Sequence, residues 1–123
     1  MKRSDAREIA FKTIYSKFFT AEESLETDEN SLIDEEFVNK ILMVYENSKE
    51  EINNFISENL KGYTLSRLFK IDLAILTLAV IELNYIKENP KQVIINEAVE
   101  LAKKYSTEKS PKFINGVLAD IVK

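Results

Sequence analysis

Five cations are placed where they could hold a phosphate: Lys2, Arg3 and Arg7 near the start of the chain, and Lys109 and Lys112 near its end. Little else in the sequence is equipped for chemistry. Cysteine and histidine are both absent, which removes thiolate nucleophiles, disulfides, the usual zinc ligands and the side chain most used for proton transfer near neutral pH. Carboxylates are plentiful, but no spacing brings two of them together with a nucleophile or a glycine-rich phosphate loop. An enzyme is the weakest class, no metal or other cofactor is expected, and binding is the stronger reading.

The net charge of −4 speaks against nucleic acid until its distribution is considered. Residues 1–19 hold five Lys/Arg and two acids, and residues 101–123 repeat that ratio, so each end is +3 and the middle is −10. If the ends meet in space, they form a face for an anion and leave another for a basic partner. Ordinary solvated charge is the plainer account of the same numbers.

The elements that must position these cations read as helices. With 123 residues, 45% hydrophobic content and only 2 Gly and 2 Pro, the chain suits a single all-α domain over residues 1–123. Ser4 caps a first helix in this reading, with Ala10, Phe11, Ile14, Tyr15 and Phe18 on one side. Arg3, Arg7, Ile14 and Phe18 fall within about 60° at 100° per residue, so the first turn should carry its cations beyond the core. From Thr20 to Glu36 there are eight acidic residues and no basic one, which reads as a solvated connection.

A helix over 33–45 follows, and then Ser48-Lys49-Glu50-Glu51 offers a capping box for another, with Gly62 as a terminator. The run 71–86 is apolar apart from Asp72, Thr77, Glu82 and Asn84, which are scattered around the helix, so it should be buried on most sides. It lacks the roughly 18 uninterrupted apolar residues of a membrane span. Asn89-Pro90 separates it from a helix over 93–105, and Ser110 with Pro111 opens the last one. Gly116 inside that helix suggests close approach of a neighbouring backbone. The charged N-terminal residues lack the apolar core of a secretory signal, so a cytoplasmic location is the default.

One stretch adds more. Ile95-Asn96-Glu97-Ala98, Glu100-Leu101-Ala102-Lys103-Lys104 and Ser110-Pro111-Lys112-Phe113-Ile114-Asn115-Gly116-Val117-Leu118, in that order and spacing, resemble the C-terminal signature of the NusB family of bacterial transcription antitermination factors. Ala6-Arg7 through Ile14-Tyr15 resembles the family's opening helix, and Leu65-Ser66-Arg67-Leu68 with Ile71 to Leu76 its central one. The acidic stretch has no distinctive match. The resemblance implies two bundles of antiparallel helices in one compact unit. It also implies an adaptor that joins the ribosomal protein NusE in holding boxA-type RNA of nascent ribosomal RNA leaders, within the antitermination complex of RNA polymerase.

Carried over residue by residue, the resemblance assigns RNA contacts to Lys2, Arg3 and Arg7, and the physical case agrees, because cations near phosphates release counterions. Lys109 and Lys112 flank a helix start, where unpaired amides also favour an anion. Tyr15 reads either as a packed ring or as a contact with RNA or partner, and Arg67 as a phosphate ligand or a clamp between helices. Asp72 matches a position that resembles a NusE contact, with capping as its alternative; Glu82 reads as a partner contact or as a buried, paired acid. Asn96, Glu97 and Asn115 read as ties between helices, and Phe113 as core. The family commonly has Arg where this chain has Leu73 and Thr77, so no charged role transfers there. The alternatives are a helical scaffold or homodimer without RNA binding, and a module of the kind fused to ribosomal RNA cytosine methyltransferases, for which no catalytic segment follows Lys123.

Overall fold

The computed structural model describes residues 2–19 and 35–123, so most of the acidic connection lies outside the described residues. Five α-helices account for most of the rest: α1 (Lys2–Lys17), α2 (Glu35–Glu58), α3 (Lys70–Ile81), α4 (Lys91–Tyr105) and α5 (Ser110–Ile121). A 3-10 turn, Leu65–Arg67, precedes α3, and a π-turn, Glu82–Ile86, continues it. No strand occurs among the described residues.

The apolar run that begins at Ile71 becomes the shared centre. Every residue from Asp72 to Ile81 is buried, and α3 packs against α1 and α2 on one side and α4 and α5 on the other. It runs against α1 and α4: Arg7 and Glu97 meet its Glu82 end, whereas Tyr105, which stacks on Phe11, is followed by Ser106 at its Asp72 end. Two helical groups thus share one central helix. Full burial of each Leu or Ile on α3 contributes on the order of 2 kcal/mol, which is why the site-bearing elements can be anchored to it.

Local signals account for several boundaries. The Ser48 capping signature marks a real break, because Ser48 (φ −131°, ψ 21°) kinks what is otherwise a continuous α2. Gly62 takes φ 83°, a left-handed turn that a side chain would resist. Pro111 occupies the first turn of α5, where its missing amide costs nothing. Two expectations change. Ser4 does not cap α1, which starts earlier, and its hydroxyl donates to Glu97 instead. Gly116 is exposed, and a Cβ there would meet nothing within 4 Å, so no backbone approaches it.

Candidate nucleic-acid interface

The first turns of α1 are held inward by a charged cluster. Arg7 is 3% exposed, and its guanidinium donates to both Glu82 oxygens (Nε to Oε2 2.7 Å, Nη2 to Oε1 3.0 Å) and to Glu97 Oε1 (3.0 Å). With its oxygen turned inward, the Asn89 amide accepts from Arg7 Nη2 at 3.2 Å and Arg3 Nη1 at 3.1 Å. Arg7 therefore does not face a phosphate, and Glu82, 2% exposed, does not face a protein partner. Burying one charge requires a partner for it, and α1 and the π-turn supply each other's. Arg3 remains partly open: it pairs with Glu88 at 3.2 Å and lies over the Phe37 ring at 4.1 Å. The Lys2 side chain lies outside the described residues.

Asp72 is also less open than the sequence suggests. It is 4% exposed, and its two oxygens accept from Ser106 Oγ (2.6 Å) and Ser110 Oγ (3.0 Å). Its carboxylate ties α3 to the joint between α4 and α5 instead of capping its own helix. Ser110, read as a cap, serves that tie as a donor. Leu73 and Thr77 both face the interior, and Thr77 returns its hydroxyl to the Leu73 carbonyl at 2.7 Å, so neither place has room for a solvated charge.

Beyond Asp72 the surface changes character. Arg67, Lys109 and Lys112 are exposed and have no ion pair among the described residues, and three rings accompany them. Tyr63 (54% exposed) meets Phe113 edge to face at 5.1 Å, and Phe69 is 60% exposed. Arg67, Phe69, Lys109 and Phe113 line a hollow of about 190 Å³ with Asp72 and Ser110 on its floor. Rings of this kind offer stacking faces worth roughly 1–3 kcal/mol per base, and the cations beside them suit a phosphate backbone. Tyr63 and Phe69 are absent from the sequence reading, although Lys61, Tyr63, Arg67, Phe69 and Lys70 already alternate basic and aromatic residues. Phe113, read as core, is half-buried and shared between core and surface.

The remaining candidates lie elsewhere. Tyr15 is half-buried at the far end of α1, where it packs on Phe18 and Phe19 at 6.5 and 5.1 Å. Glu97 does tie helices, through Arg7 and Ser4, but among the described residues Asn96 pairs with Gln92 on its own helix and Asn115 is exposed. Along α1 and α4, burial would raise the Glu8 carboxyl, but hydrogen bonds from Tyr105 and Lys104 outweigh it and hold Glu8 below the usual carboxylate range. Lys104 is correspondingly raised by its hydrogen bond to Glu8, so that lysine is already matched. No cluster of three potential metal ligands is present among the described residues, and no helix is long and apolar enough to cross a membrane.

Comparison with known proteins gives a consistent result. A model of the NusB family matches residues 4–123. The transcription antitermination protein NusB of Clostridium novyi is 41% identical, with 100% of this chain and 99% of that protein covered. The corresponding protein of Bacillus mycoides is 40% identical over 98% and 97% of the two chains. Among solved structures, NusB of T. maritima superposes with a TM-score of 0.88 at 31% identity, over 98% of this chain and 90% of that one. A structure of antitermination factors NusB and NusE in complex with dsRNA superposes with a TM-score of 0.80 at 27% identity, over 96% and 93%.

Proposed function

The chain belongs to the NusB family, and we propose that it works as a transcription antitermination adaptor that holds boxA-type RNA of nascent ribosomal RNA leaders together with the ribosomal protein NusE. It catalyses no reaction and uses no cofactor; its work is to present a surface. Acting on nascent RNA within the RNA polymerase antitermination complex places it in the cytoplasm.

The observation that carries this reading is the patch formed by Arg67, Lys109 and Lys112 with Tyr63, Phe69 and Phe113. The three cations have no acidic partner among the described residues, and Tyr63 and Phe69 leave more than half of their surface in solvent beside the half-buried Phe113; together they match a single strand, phosphates to the cations and bases to the rings. Arg3, at the far end of α4, would add a second contact; with Lys2 it would extend the path of the strand. NusE, which the relative of known structure binds, belongs beside Asp72 in this reading. Tyr15 and the exposed Phe19 form a separate ring cluster, suited to partner or RNA contact at the rim.

The test is a titration of labelled boxA-like RNA with and without NusE, at two salt concentrations and beside a scrambled RNA. Sequence-dependent binding that tightens with NusE is expected. Lys109→Ala with Lys112→Ala should weaken it about 10-fold at low salt, with a smaller loss at high salt, because each lost phosphate contact removes about 0.7 from the single-strand salt slope. If neither protein alone nor the pair distinguishes the RNAs, the chain is a helical scaffold or homodimer, and its partners are proteins.

A further inference from the structure

A second cationic feature lies at the other end of α3. The π-turn, the start of α4 and the end of α5 enclose a groove of about 670 Å³, within the roughly 300–1,000 Å³ range of ligand-binding clefts. Lys87, Lys91 and Lys123 line it, with the amides of Asn84 and Asn89 beside them. Lys87 and Lys91 are exposed and have no ion pair among the described residues, whereas Lys123 shares Asp120 at 3.8 Å. The one acidic side chain in the lining, Glu82, is already matched by Arg7, so the lining side chains are cationic on balance. Its floor is apolar, from Leu83, Ile94 and Val122.

Asn89 joins this groove to α1. Its side chain lines the groove while its oxygen accepts from Arg3, the partly open cation of the first turn. Lys87 moreover takes φ 56°, a conformation that glycine or asparagine adopts at lower cost, so this position carries a cation at some expense to the backbone. Arg3 and the groove thus share Asn89, so an RNA strand held at Arg3 would lie next to the groove's lysines for its phosphates and its apolar floor for a sugar or base.

We infer that this groove binds the phosphodiester backbone of RNA flanking the recognised element, extending the footprint beyond α1, with Lys87 and Lys91 as the phosphate ligands. This rests on the RNA-binding reading above. It adds a length-dependent, sequence-tolerant contribution that the exposed ring patch does not supply.

The experiment compares a minimal boxA-like RNA with the same element carrying six added nucleotides on one side or the other, in the presence of NusE. The unaltered chain should bind one of the extended RNAs about 10-fold more tightly than the minimal one at low salt, with a steeper salt dependence. Lys87→Gln with Lys91→Gln should abolish that gain and leave the affinity for the minimal RNA within about 2-fold. Lys49→Gln with Lys103→Gln, the same loss of charge at exposed lysines outside the groove and the ring patch, should keep the gain. An extension that adds nothing, or a gain that survives the Lys87/Lys91 substitutions or disappears equally in the distant pair, overturns the groove while leaving the adaptor intact. Failure of the minimal RNA to bind overturns both.

Discussion

Helix α3 buries a carboxylate near each end, Asp72 and Glu82, and the two are held in opposite ways. Glu82 faces a guanidinium, with both oxygens occupied by Arg7 and a second carboxylate, Glu97, sharing the charge. Asp72 accepts from hydroxyls, those of Ser106 and Ser110, without an ion pair among the described residues, and borders an open hollow lined by Arg67 and Lys109. The first arrangement is closed: both Glu82 oxygens and all three guanidinium nitrogens of Arg7 are engaged within the protein, and changing it means disrupting part of the core. The second is open, because a hydroxyl can rotate and redirect its proton when something enters the hollow. Similar residues in one apolar run thus produce a fixed joint at one end and an adjustable rim at the other.

The largest effect should come from breaking the closed end. Arg7→Ala leaves Glu82 buried without its counterion, a change that costs about 3–5 kcal/mol and lowers the melting temperature by about 10–20 °C in a domain of this size. Replacing both partners, Arg7→Met with Glu82→Met, should recover much of the loss, since no fully buried charge is then left unpaired; Glu97 loses its cation but is partly exposed and keeps the Ser4 hydroxyl. Thermal and denaturant unfolding measure both. A stable Arg7→Ala protein whose RNA affinity falls instead would return Arg7 to the phosphate-facing role its place on the helical wheel suggests.

A smaller effect separates the two ends more directly. Glu82→Gln weakens a charged pair inside the core, whereas Asp72→Asn keeps an oxygen for one serine and asks the other hydroxyl to accept. Stability should fall by about 3 kcal/mol in the first case and by only about 0.5–1.5 kcal/mol in the second. Binding should rank in reverse: Asp72→Asn alters capture of NusE or RNA through the rim of the hollow, and Glu82→Gln leaves it unchanged at temperatures where the protein is folded. Equal stability losses would mean that Asp72 is as closed a joint as Glu82.

The contrast also explains how much was legible in the residues alone. Periodicity places Arg3 and Arg7 on the line of Ile14 and Phe18, which is correct as to face, but it does not say where the core stops. That limit is set by Glu82, which is 75 positions away in the chain, and no local pattern announces such a partner. The buried character of α3, the break at Ser48, the turn at Gly62 and Pro111 at the start of α5 are local consequences of residue type and were readable. The ring patch was only half readable. Lys109, Lys112 and Arg67 belong to recognisable motifs, whereas Tyr63 and Phe69 matter because the fold leaves them in solvent.

Gly116 gives the smallest effect and tests whether the open end continues along α5. A glycine in a helix interior is destabilising relative to alanine by roughly 0.5–1 kcal/mol, and such a cost is usually offset by a neighbour that needs the space. Here a Cβ would meet nothing within 4 Å, so the isolated chain has no neighbour to accommodate. Gly116→Ala should therefore raise stability by about 0.5–1 kcal/mol, shifting the melting temperature up by a few degrees. Binding to NusE and RNA should stay the same. A more stable protein that binds either one more weakly would mean that the space is filled in the complex, and would place a partner's backbone on the face formed by Lys112, Gly116 and Ala119. A less stable protein would contradict the open surface itself.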